Sequence, residues 1–161
     1  TEILDHKLFN SREAFDHALM QLIDRFEPQL VILAGFMRIL TSELVRHYQG
    51  RMLNIHPSLL PKYTGLQTHQ RAIDAGDHEH GATIHFVTEE LDGGPLIIQG
   101  KVPVLNNDTA ASLAERVLTM EHVIYPQAIE WFANGQLRLK EGAVLLNNTP
   151  LKYPKIVESQ A

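Results

Sequence analysis

Apolar positions first recur at helical spacing. Phe15, Ala18, Leu19, Leu22, Ile23 and Phe26 share one face, which predicts a helix over about Arg12–Phe26. Asn10 followed by Glu13 makes a capping-box start, and Pro28 ends the run. The pattern then changes. "QLVILAG" is a short continuous apolar run of the kind buried on both faces of a parallel sheet. Thr41 caps a helix to about Tyr48, and "RMLNI" is the next strand. Strand, helix, strand in this order is a βαβ unit, with ligands beyond the carboxyl ends of its strands. "GLQTHQRAIDAG" reads as a helix closed by Gly76. "GATIHFV" alternates, with Thr83, His85 and Val87 on one face and Ile84 and Phe86 on the other. "TEELDGGP" is a loop and "LIIQGKVPV" another strand. Asp108 or Thr109 opens a long helix toward Phe132, with Leu113, Val117, Met120 and Ile124 inward and a kink expected at Pro126. "QLRL", "KEG" and "AVLL" predict a C-terminal hairpin, and the polar tail from Leu151 is expected to be loose. The fold class is α/β, and residues 1–161 are expected to form one domain.

Composition narrows the function classes. An apolar fraction of 44% and a charged fraction of 20% are ordinary for a globular chain. No apolar run approaches the ~20 residues of a membrane helix, and no secretory leader is expected. A net charge of −5 argues against an extended nucleic-acid or anionic-membrane footprint. With no Cys there is no disulfide framework, thiolate nucleophile or Cys-type zinc site, which suits a cytoplasmic protein. Nine His keep acid–base chemistry and metal binding open. The chain opens at Thr1, so a processed or truncated piece is an expectation too.

The candidate chemistry starts at "RMLNIHPSLLPKYTG". Asn54 and His56 alternate with Leu53 and Ile55, so both leave the same side of a strand end. There they either polarise a carbonyl and hold a developing oxyanion or pin a loop. Asp92 in "LDGGP" lies beside glycines that let backbone approach a ligand closely. Taken alone it reads as a turn Asp; near His56 it would favour the cationic ring and take a proton from an attacking amine. His78, His80 and His85 match no metal-binding spacing and read as a solvated turn before a strand. His69 reads as a neighbour of the site or a surface residue. Ser58 lacks the glycines of a nucleophile elbow. "GFMRIL", Gly35–Leu40, either clasps a flat ligand or packs in the core.

Four segments carry a resemblance: "LAGFMRIL", "LNIHPSLLPKY-GL", "EHG-T-HFV--ELDGGP-I-Q" and "EH-IYP". In order, from about Ser11 to Phe132, the chain resembles the phosphoribosylglycinamide formyltransferase (GAR transformylase) branch of the folate-dependent formyltransferases. The resemblance implies a Rossmann-like fold with a mostly parallel twisted sheet flanked by helices. It implies transfer of a formyl group from 10-formyltetrahydrofolate, a cosubstrate, to the amine of glycinamide ribonucleotide (GAR), without a metal. It makes His56 the general acid, Asn54 its partner donor and Asp92 the group that tunes His56 and removes the amine proton. Arg12, Met37, Arg38, Ile39, Leu40 and Asn54, with Thr88, Glu89, Glu90, Leu91 and Asp92, would hold the folate. Leu118, Thr119, Met120 and Glu121 would meet GAR, Glu121 foremost, and Thr83 and His85 would line the same side. The implied partners are small-molecule substrates, with no nucleic acid or membrane; a homodimer is left open. Alternatives are a formyltetrahydrofolate hydrolase over the same residues, or a folate-binding fragment without turnover. A metal-dependent hydrolase ranks below them.

The chain departs from the family's pattern in three places. The opening strand and the Gly/Ser/Asn-rich loop that holds the GAR phosphate have no counterpart, which predicts an uncovered parallel sheet edge. Gln67 stands where a His is common, and Leu118 where a polar residue is common.

Overall fold

The computed structural model describes residues 1–159. After a single 3₁₀ turn, His6–Leu8, come α1 (Arg12–Asp24), β1 (Val31–Leu33), α2 (Ser42–His47) and β2 (Met52–His56). They are followed by α3 (Thr68–Asp74), β3 (Glu79–Phe86), β4 (Leu96–Pro103) and α4 (Ala110–Ala133). The chain closes with β5 (Leu137–Lys140), β6 (Ala143–Leu146), β7 (Thr149–Pro150) and β8 (Lys155–Glu158).

The central sheet has the order β1-β2-β3-β4-β8. β1 and β2 are parallel, as the βαβ reading requires, and so are β4 and β8. β3 runs against both of its neighbours. Four of five strands therefore share one direction, giving a mostly parallel sheet with one reversed strand in its middle. That reversal decides the site, because it sets β3 side chains directly opposite those of β2.

Alternation along the strands fills both faces. Met52 and Leu53 are adjacent and both fully buried, yet they join different clusters. Met52 packs with Met20 of α1, with Leu44 of α2 and with Tyr48 at the end of α2. Leu53 packs with Ile84, Phe86, Ile98 and the inward stripe Leu113, Val117, Met120 and Ile124 of α4. Each such side chain contributes roughly 1.5–3 kcal/mol relative to exposure. Thr109 caps α4 with its side chain and Ser112 returns the bond, a capping box one residue after Asp108. The Tyr125 hydroxyl, on α4, donates to the Leu33 carbonyl at 2.7 Å and lies 3.1 Å from that of Leu53, tying the helix to β1 and β2.

Two local expectations are corrected. Ser11, not Asn10, caps α1, its hydroxyl accepting from Ala14 N–H. The tail is not loose: Lys155–Glu158 adds to β4 in parallel, with Ile98 opposite Lys155 and Lys101 opposite Glu158. Those four polar-flanked residues pattern weakly by themselves, and the open backbone groups along β4 supply the pairing. The C-terminal hairpin forms from β5 and β6 and gains β7 as a third strand. At the other edge, β1 has no outer neighbour strand among the described residues, and Ile32 is 42% exposed there.

Candidate active site

β2 delivers Asn54 and His56 to its carboxyl end, where Pro57 stops the strand. In the antiparallel register Asn54 faces His85 and His56 faces Thr83. His85 Nδ1 lies 2.9 Å from the Phe86 carbonyl, an acceptor, so Nδ1 carries the proton and Nε2 offers a lone pair. Asn54 Nδ2 lies 3.3 Å from that Nε2. One amide N–H is thereby spent on His85, which fixes which way the amide faces and leaves its second N–H free. Burial holds the His85 ring below the ordinary His range, although its bond to Phe86 and the Asp92 charge pull upward. A neutral His85 is the form that this bond needs. Gly94 closes the corner: a Cβ there would collide with the Phe86 carbonyl that orients His85.

His56 is 6% exposed. Its Nε2 donates to the Tyr63 carbonyl at 2.8 Å, and its Nδ1 lies 3.4 Å from Asp92 Oδ1. The second Asp92 oxygen accepts from Gly65 N–H at 2.9 Å. Asp92 sits at φ +51°, a left-handed conformation that Asp tolerates better than most residues. The loop between β2 and α3 thus grips both partners, His56 through a carbonyl and Asp92 through an N–H. Its base is bolted to the sheet. The Thr83 hydroxyl donates to the Ser58 carbonyl at 2.6 Å and accepts from Leu60 N–H at 3.1 Å. The Gln99 amide donates to the Leu60 carbonyl at 2.8 Å.

These groups open on a cavity of about 500 Å³ that Asn54, His56, Asp92, Arg38, His69 and Glu121 help to line. Beside it lies a smaller hollow of about 70 Å³, bounded by Arg38–Leu40 and the loop Thr88–Asp92, with Asn54 and His85 on its wall. Met37 and Ile39 are exposed at 76% and 59%, two apolar side chains at the mouth with nothing covering them. Arg38 stacks over the Phe15 ring at 4.5 Å, and its Nε is buried with no hydrogen-bond partner. Such an orphaned donor costs free energy until something accepts from it. Arg12, the first residue of α1, is half-exposed, pairs with Glu13 at 3.5 Å and lies outside both cavity linings. Glu89 makes a two-point contact with Arg46, 2.7 and 3.3 Å, that ties the Thr88–Asp92 loop to α2.

The α4 segment divides. Glu121 faces the larger cavity, and burial raises its carboxyl above the ordinary range against a smaller pull from His122. Met120 is in the core, where a Cβ at Gly100 would strike it. Leu118 and Thr119 are exposed and outside the lining, the Thr119 hydroxyl bonding back to the Glu115 carbonyl. Thr83 is fully buried and holds the loop rather than lining a cavity. Ser58 is also fully buried, with its hydroxyl donating to the Lys62 carbonyl. His78, His80 and His85 do not converge: His80 pairs with His69 at 3.1 Å and His85 with Asn54. Among the described residues, no cluster of three or more His, Asp or Glu is placed to hold a metal ion. No helix among them is long and apolar enough to cross a membrane.

The His69–His80 pair, which joins α3 to β3, makes the fold acid-sensitive. Burial pushes His80 down to about 4 from an ordinary 6.5, and His69 is lowered for the same reason. The unfolded chain therefore binds more protons between pH 6.5 and 4, so stability present above 6.5 is lost as pH falls through that window. A shift of this size corresponds to roughly 3 kcal/mol. The urea midpoint of the protein is expected to fall between pH 6.5 and 4.5, and that of His80→Gln to fall less. Equal losses would contradict the assignment.

A strand-end amide and imidazole thus face a loop carboxylate over a cavity with an apolar mouth. The chain belongs to the formyl transferase family, whose model matches residues 1–129. It is 54% identical over 151 residues to the phosphoribosylglycinamide formyltransferase of Escherichia coli, covering 94% of this chain and 71% of that one. The phosphoribosylglycinamide formyltransferase structure from Coxiella burnetii superposes with a TM-score of 0.89 at 48% identity, over 95% of this chain and 74% of that one. A formyltetrahydrofolate deformylase from Pseudomonas syringae shares the fold at a TM-score of 0.80, with 28% identity over 89% of this chain and 47% of that one.

Proposed function

We propose that the protein transfers the formyl group of 10-formyltetrahydrofolate to the primary amine of GAR, in purine biosynthesis. The observation that carries this reading is the meeting of Asn54, His56 and Asp92 at one cavity, with the half-buried Glu121 on its lining. The higher identity to the GAR enzymes than to the deformylase favours an amine over water as the acceptor.

The folate fits the residues present. The orphaned Arg38 Nε offers an unspent donor, and Met37, Ile39 and Leu91 offer apolar surface for a flat ring system. Chemically, the reacting form carries a proton on each His56 nitrogen, Nε2–H held by the Tyr63 carbonyl, so the free Asn54 N–H and the His56 Nδ1–H offer two donors to the formyl oxygen. As the GAR amine forms its bond to the formyl carbon, that oxygen gains charge, and preoriented donors stabilise it without reorganising. Asp92 accepts the amine proton, directly or through one water. When the carbon–nitrogen bond to the folate breaks, His56 gives its Nδ1 proton to the departing nitrogen. Asp92, 3.4 Å away, then returns the proton it holds. Atoms and charge balance, and no covalent enzyme intermediate is needed.

Glu121 is the side chain assigned to GAR, and the Thr88–Asp92 loop with Arg38–Leu40 is assigned to the folate. Incubating the protein with both substrates is expected to yield formyl-GAR in step with folate consumption. Release of free formate without GAR would instead select the hydrolase.

A further inference from the structure

Tyr63 occupies a conformation that its residue type avoids. Its φ is +55°, in the left-handed region where a bulky side chain is uncommon, and nearby Gly65 takes φ +76° without such resistance. Conformations of this kind persist only where the surroundings over-determine them. Here the surroundings are its own side chain. The phenol donates to Asp77 Oδ2 at 2.8 Å, and Lys62 Nζ reaches the same carboxylate at 2.9 and 3.0 Å. The Arg71 guanidinium lies 5.1 Å from the phenol ring centroid and donates to the Thr64 carbonyl at 2.7 Å. The consequence appears on the other side of the turn, where the Tyr63 carbonyl meets His56 Nε2 at 2.8 Å.

A carbonyl oxygen only accepts, so this contact assigns a proton to Nε2 and leaves Nδ1 as the nitrogen whose proton can move. Nδ1 is the atom beside Asp92. We propose that Tyr63 is a positioning residue of the reaction: anchored by Asp77, its phenol holds the turn that aims its carbonyl at His56 and so dedicates Nδ1 to the cleft. A glycine at position 63 would adopt the same φ with less strain. The tyrosine is therefore explained by the tether, not by the turn. The catalytic meaning rests on the formyl-transfer reading; the tether itself does not.

The test uses the full protein with 15N-labelled histidine, comparing wild type with Tyr63→Phe, Tyr63→Gly and Asp77→Ala. Tyr63→Phe keeps the ring beneath Arg71 and removes only the hydroxyl. At a pH where the ring is neutral, the His56 signals of wild type are expected to report the remaining proton on Nε2, so that Nδ1 is the nitrogen that gains and loses the second proton, and those of all three variants to move toward an average of the two tautomers. With GAR and 10-formyltetrahydrofolate, kcat is expected to fall on the order of ten- to a hundredfold in Tyr63→Phe, the scale of a slightly misplaced group. Folate affinity is expected to stay unchanged. Tyr63→Gly separates positioning from folding: its thermal midpoint should match or exceed that of Tyr63→Phe while its kcat is no higher. Unmoved His56 signals overturn the proposal whatever the activity, and so does an unchanged kcat with moved signals. The ring spectra need no substrate. A wild type that transfers no formyl group would defeat the functional reading, and the tether would still be judged by the spectra.

Discussion

His56→Ala is expected to lower kcat on the order of 10²–10⁴-fold, the range spanned by a positioned acid–base group. Folate affinity should barely change, because the lost interaction forms as charge develops on the formyl oxygen, not when the ligand first binds. The fold should tolerate the change. His56 lies at the lip of the cavity, and its removal frees only the Tyr63 carbonyl and one side of Asp92. Leaving one such group unpaired costs roughly 1–3 kcal/mol. Steady-state kinetics beside a folate titration check the separation. A KM that rises while kcat holds would mean that His56 binds ligand and does no chemistry.

Asp92→Asn is expected to be the second large effect, on the order of 10²–10³-fold in kcat. The asparagine carbonyl can still accept from Gly65 N–H, and asparagine tolerates the φ of +51° at this position. The substitution therefore removes charge and proton-accepting ability while keeping the loop in place. Asp92→Ala removes both, and its additional loss measures what the Gly65 bond contributes. Because His56 and Asp92 act on one proton circuit, the double variant His56→Ala/Asp92→Asn should fall little below the worse single variant. Full multiplication of the two losses would show independent roles and contradict the circuit, as would a near-wild-type rate in Asp92→Asn.

Much of this was legible from periodicity. The stripe Leu113, Val117, Met120, Ile124 announced α4 and its inward face, and the run around "VILAG" announced a strand, although not one covered on both faces: Val31 and Leu33 pack inward while Ile32 stays exposed at the open sheet edge. Alternation in "LNIH" placed Asn54 and His56 on one side of a strand end. What periodicity does not carry is strand direction. The reversal of β3 puts His85 opposite Asn54, and "GATIHFV" alternates identically whichever way it runs. The part played by His85 in fixing the Asn54 amide was invisible for that reason. The grip of the loop on the site is invisible for another: it is made by backbone groups of Tyr63 and Gly65, which any residue type supplies. Two prolines and two glycines in "HPSLLPKYTGLQTHQRAIDAG" signal a stiff turn, but not which carbonyl faces an imidazole. Edge strand β8 was missed because its four residues have no periodic signature, and its place is set by the open side of β4. Along α4 the stripe already turned Met120 inward, against the GAR contact that the resemblance implied for it, but spacing could not tell which of Leu118, Thr119 and Glu121 faces the cavity; only Glu121 lines it.

The most direct measurement is a crystal structure of the protein with GAR and an unreactive analogue of the formylated folate. Asn54 Nδ2 and His56 Nδ1 are expected within about 2.6–3.2 Å of the oxygen that stands for the formyl oxygen, with Asp92 at that distance, or one water away, from the GAR amine. A formyl carbon seated away from all three, against some other wall of the cavity, would contradict the account.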